Sequence, residues 1–327
     1  MDHAETYKPI SAWSGIRRWF FDPVPCRALV TCRLVYGLIL FLCYLSLWPV
    51  LEQLFGPNGI GGAESALRLR LNAAAILRPW YIRPFGLVRP LELLYHTRST
   101  AVVWLLYVLL LFSSLGFALG LYPRASGLIA LFIHTLFHAR NIYAFSGWSL
   151  MLITYMLYVL ASQAVYQPIR LGRAASLSSF AKHVSAWPLR LLQMNVCTMY
   201  AITGWPRVEN PSWLDGRMLY ISLASHTFGR LNIDWYAWKP ALEILTYGIL
   251  VLEAAAPIAL WLPTLGKWWA VGLMIMHIGI ALFSTVGWWS LLMVTSLTVF
   301  LPDAWLQVLW TPLAPKRFAP ARDSNAV

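Results

Sequence analysis

Charge is what this chain has least of. Of its 327 residues 12% are charged, and only 13 are acidic. A soluble domain carries roughly a quarter charged residues. At half that density, with 59% hydrophobic residues, an ordinary soluble domain is excluded. Cysteine is scarce too. Cys32 and Cys43 share a helical face but stand roughly 16 Å apart along a straight helix, too far to bridge. Cys26 and Cys197 have no evident partner, and no metal-type spacing occurs. A Walker loop, a dinucleotide glycine pattern and an evident Ser-His-Asp set are also missing, so soluble-cofactor chemistry has no support. The opening residues contain no apolar core of a cleavable signal. The excess of base, +12 in net charge, is scattered over short loops instead of gathered in a patch. That argues against nucleic acid and for membrane lipids as partners.

What the chain does have is repeated apolar runs near twenty residues long, the length of a membrane span. They predict an all-α, polytopic integral membrane bundle of about eight transmembrane helices, over 29–51, 101–121, 126–142, 147–166, 189–205, 241–262, 268–286 and 288–303. Residues 1–28 read as an amphipathic interfacial segment, with Arg17 and Arg18 among Trp13, Trp19, Phe20 and Phe21. Residues 29–303 form the bundle, and 304–327 a cytoplasmic tail without structure. Two long outer segments, 52–100 and 206–240, interrupt the spans. The first suits an interfacial helix, a re-entrant lid or a plain surface loop. Basic residues in the short loops place both termini in the cytoplasm. No internal repeat is evident.

Ionisable groups inside spans are costly in lipid and mark partners or wet cavities. Glu253 and His277 are the foremost pair. Each lies nine residues from the turn near "PTLGK", hence about 14 Å from one membrane face. Pro257 lacks an N–H and frees the carbonyl of Glu253. A buried Glu253–His277 contact lining a polar pocket is one expectation, with chemistry carried by these two residues; separate satisfaction of each is the other. His134 and His138 share a helix face at i, i+4. "HTLFH" is not the metalloprotease motif, so no metal site is assigned, and packing or a polar pocket wall remain. Arg140 and Asn141 close that helix, where Arg140 can snorkel to headgroups or hold an anion. Arg33 reads as structural, within snorkelling reach of the inner face. Trp205 and Trp213 belong to an interfacial belt or line a pocket for a flat ring.

The stretch "GWPRVENPSWLDGRMLY" resembles the horizontally transferred transmembrane (HTTM) family, related to the membrane part of the vitamin K-dependent gamma-carboxylase. The resemblance runs through Gly204, Arg207, Trp213, Asp215 and Gly216. It continues through Arg33, through Gly120, Arg124, His134, Arg140 and Asn141, and through Glu253. It implies a shared membrane bundle, a ligand site drawn from Arg207, Trp213, Asp215, His134, Arg140 and Asn141, and a quinone as the cofactor to consider. Two departures stand out. The family lysine likened to a catalytic base is Arg207 here, and Gly147-Trp148 replaces Gly-Asp. Arginine stays protonated, so Arg207 is expected to hold a carboxylate, phosphate or quinone oxygen, or else to pair with Glu209 or Asp215. Whether the chain is an enzyme stays open. It reads as an accessory or maturation protein binding a peptide, lipid or quinone, with a secreted peptide or small protein as partner. The alternatives are a peptide- or lipid-modifying enzyme and a small-solute transporter.

Overall fold

The computed structural model of the chain describes residues 12–60, 97–141, 144–145, 147–166 and 183–310. Helix α1 (Ala12–Phe21) and strand β1 (Pro23–Pro25) lead into α2 (Arg27–Ser46), followed by the short α3 (Leu51–Phe55). Helices α4 (Thr100–Leu119), α5 (Pro123–Arg140) and α6 (Trp148–Ala161) complete the first group. Strand β2 (His183–Ser185) then opens α7 (Trp187–Gly204), and two short helices follow, α8 (Pro211–Leu214) and α9 (Met218–Ala224). Helices α10 (Lys239–Ala259), α11 (Gly266–Phe283), α12 (Gly287–Leu297) and α13 (Asp303–Trp310) complete the second.

Each span expected from the sequence coincides with a helix. Prolines in the first turn start α5, α7 and α10, where a missing N–H costs nothing. Gly120, left-handed at φ 79°, stops α4. Among the described residues four helical segments are long and apolar enough to cross a membrane: α2, α4, α10 with the turn before it, and α11. Exposed Phe112, Leu105, Ile244 and Ile275 cover the outside, whereas Arg33, His134, Arg140, Ser149, Glu253 and His277 are buried. An apolar exterior around a polar interior is the arrangement lipid requires. Close approach is built in at Gly37, where a Cβ would meet Ala118 N and Ser114 O of α4 at 2.8 Å.

The two groups of helices repeat one plan, contrary to the expectation of no repeat. Strands β1 and β2 pair antiparallel about Val24 and Val184, which bring the starts of α2 and α7 to one end of the bundle. Each first helix is followed, after a long connecting segment, by a helical pair joined through a short turn. His134 lies eleven residues past Pro123 in α5, and His277 eleven past Gly266 in α11. The fourth helices open on Gly147-Trp148-Ser149 and Gly287-Trp288-Trp289-Ser290, and each ends in a 3-10 turn, Gln163–Tyr166 and Thr298–Phe300. The packing is reciprocal: α2 lies on α12, α7 lies on α6, and α6 touches α12. Tyr36 of α2 bonds Ser296 of α12 across this junction at 2.7 Å. The repeat escaped the sequence because it conserves element order and a few side chains within interchangeable apolar residues.

Most of the outer segment 52–100 and of the connector after α6 falls outside the described residues, as does the tail from residue 311. The interfacial or re-entrant reading of 52–100 therefore lies outside them. Residues 304–310 of the expected tail are helical, within α13.

Candidate functional site

Tyr200, Gly204 and Arg207 stand at i, i+4 and i+7 where α7 passes into a 3-10 turn, so they share one face. That face meets α10 and α11. Arg207 makes an ion pair with Glu253 of α10, whose side chain is only 6% exposed. Tyr200 bonds His277 Nε2 of α11 at 2.9 Å. Gly204 sits so close to the Glu253 backbone that a Cβ would lie 3.1 Å from its carbonyl oxygen. This is the carbonyl that Pro257 leaves without its helical donor. The neighbouring carbonyls are taken by indoles from either side, Trp205 Nε1 on Ala254 O at 3.0 Å and Trp269 Nε1 on Leu252 O at 2.9 Å.

The expected contact between Glu253 and His277 is replaced by this arrangement. Among the described residues no hydrogen bond or ion pair joins them; Arg207, in the 3-10 turn after α7, pairs with Glu253, and Tyr200 of α7 bonds His277. Arg207 pairs with neither Glu209 nor Asp215, because the 3-10 turn directs it inward to a buried carboxylate. Its guanidinium lies 4.7 Å from the ring centre of Trp213, which covers it from the outer side. Trp213 is held over it by a compact cap. The Asn210 side chain accepts from Ser212 N at 3.0 Å, Pro211 starts α8, and Gly216 turns the chain at φ 73°. Tyr247 and Thr246 of α10 then bond Leu214 O and Leu219 N at 3.0 and 3.2 Å. Asp215 belongs to the cap alone: it pairs with Arg217, and both are half exposed. His277 Nδ1 is buried and has no hydrogen-bond partner among the described residues.

His134 and His138 form a second cluster in the first half. His134 Nδ1 bonds the Tyr44 hydroxyl and its Nε2 bonds Ser149 Oγ, both at 2.9 Å. Ser149 also reaches His138 Nδ1 at 3.1 Å. Phe137, Phe145 and Trp148 close around the group. Arg140 does not snorkel: it is 1% exposed and reaches Thr97 O. Asn141 clips two loops, donating to Leu54 O and accepting from Ala144 N. Arg33, fully buried, donates to Val165 O at 2.6 Å and does not reach the surface. Arg207, Trp213, Glu253 and His277 thus converge on one site, while His134, Arg140 and Asn141 stand in the other half. Tyr44, Tyr200 and Ser149 escaped the sequence reading. For Tyr200 the signal was its i, i+4, i+7 spacing to Gly204 and Arg207.

No curated protein and no solved structure matches the chain. The family model described as the HTTM domain matches residues 85–305, which is more than half of the sequence and holds the cap, the ion pair and both Tyr–His contacts except Tyr44. The chain belongs to the HTTM family of membrane proteins.

Proposed function

We propose that this chain is a multi-pass protein of about eight spans, with both termini cytoplasmic at a bacterial inner membrane, that binds a ligand at the outward-facing site around Arg207. The ligand is a peptide, a lipid or a quinone, and the protein acts as an accessory or maturation factor. The observation that carries this reading is the Arg207–Glu253 pair under Trp213. A guanidinium does not surrender its proton near neutral pH, so this group holds and orients. Trp213 supplies a flat apolar surface, and the side chain of Arg207 keeps 30% of its area open.

An enzyme acting on a peptide or lipid is the second reading. What favours it is the buried, unpartnered His277 Nδ1, a group able to exchange a proton with a bound molecule. The two-half plan lends something to a transporter, but parallel-repeat transporters bind near the midplane between repeats. Here the site lies within the second half, at the end of α7.

Native mass spectrometry of the protein from mild detergent tests the reading. A molecule should co-purify with the wild type and be lost from Arg207→Leu that remains folded. Retention of the same molecule by that variant refutes a binding role for Arg207. Loss of a chemical step with ligand still bound, in Glu253→Gln or His277→Gln, would instead select the enzyme.

A further inference from the structure

The repeat aligns the two first helices through Val24 and Val184. Arg33 lies nine residues past Val24, and Gln193 nine past Val184. Both make the same bond: Arg33 to Val165 O in the 3-10 turn after α6, Gln193 Nε2 to Val299 O in the turn after α12, at 2.6 and 2.7 Å. Three residues earlier stand Val30 and Arg190. In the first half the Arg33 guanidinium fills the space beneath the α4–α5 turn, close enough to Gly120 that a Cβ there would meet it at 2.9 Å. In the second half the shorter glutamine leaves that space open. A cavity of about 340 Å³ remains under the α10–α11 turn, lined among others by Trp19, Arg190, Gln193, Trp261, Lys267 and Phe300.

The lining decides what fits. It holds two cations and no acidic residue. Among the described residues neither cation pairs with a carboxylate. Arg190 is braced by Trp19 O at 3.3 Å and Gln193 Oε1 at 2.9 Å, and lies 4.8 Å from the Trp19 ring centre. Lys267 stands 5.9 Å from the rings of Trp268 and Trp305. Half-buried cations beside indoles, at helix ends, suit an anion that arrives on an apolar body. A free phosphate would leave most of the volume empty, whereas a glycerophosphate headgroup occupies it. We propose that this cavity binds the phosphate of an anionic phospholipid headgroup, at the opposite end of α7 from Arg207.

The test uses delipidated full-length protein in detergent, with tryptophan fluorescence and native mass spectrometry as readouts. Phosphatidylglycerol should bind at least about tenfold more tightly than phosphatidylcholine. Arg190→Gln with Lys267→Gln should remove that preference. Gln193→Arg is the discriminating variant. It adds a positive charge yet fills the cavity as Arg33 does, and it should cut phosphatidylglycerol binding about tenfold. Thermal unfolding reports whether it folds; if it does not, the double charge variant alone decides. Unchanged or tighter binding by folded Gln193→Arg would reduce the effect to surface charge and overturn the site. So would equal binding of the two lipids. Displacement of the lipid by millimolar inorganic phosphate would reassign the cavity to a soluble anion.

Discussion

The first half of the bundle saturates its histidine, and the second half leaves its histidine open. In both, a tyrosine of the first helix bonds a histidine of the third at 2.9 Å. His134 then gives its other nitrogen to Ser149. His277 has no such serine. One extra tryptophan, Trp289, turns Ser290 about 100° around its helix relative to Ser149, and among the described residues the Ser290 hydroxyl bonds the carbonyl of Val286, just before its own helix, at 3.5 Å. Beside the open histidine the second half carries the Arg207–Glu253 pair. One scaffold thus makes a closed hydrogen-bonded core and, in its other copy, a charged site with bonding capacity to spare.

Four tests bear on that contrast, from the largest expected effect down. Arg207→Leu leaves Glu253 buried without its counter-charge. It should cost about 3–5 kcal/mol in detergent unfolding, and Glu253→Leu added to it should restore most of the loss. A double variant no more stable than the single one would show that the pair is not what stabilises that end. His134→Leu breaks two hydrogen bonds, to Tyr44 and Ser149, whereas His277→Leu breaks only the one to Tyr200. The first should therefore be the more destabilising by about 1–3 kcal/mol; equal losses would break the comparison between halves. Gly204→Ala pushes a methyl toward the Glu253 carbonyl, which should cost about 1–3 kcal/mol and lower the amount of co-purifying ligand. Asp215→Asn should change stability by no more than about 0.5 kcal/mol, because its pair with Arg217 is exposed. A large loss there would move Asp215 from the cap into the site.

Helix positions were legible from the sequence because apolar runs and first-turn prolines act locally. Much of the site was also legible: Arg207, Trp213, Glu253 and His277 do converge. Their pairing was not. Depth matching placed Glu253 and His277 at one level, but depth says nothing about which side chain each one meets. Arg140 was read as able to reach headgroups or hold an anion, and Arg33 as structural within snorkelling reach of the inner face, because flexible side chains near helix ends often reach out. Instead neighbouring backbone carbonyls, Thr97 O and Val165 O, take them inside.

By itself the sequence determined that the chain is a helical membrane protein, where its helices begin and end, and which few polar groups must find partners in the interior. These follow from composition and local periodicity, since lipid forbids unpaired backbone and unpaired charge. The tertiary structure alone decided which partner each group found, and that the long helices among the described residues form two copies of one plan. Pairing depends on which helices touch and at what rotation. A single inserted residue such as Trp289 changes that rotation without altering the hydrophobic pattern from which the helices are read.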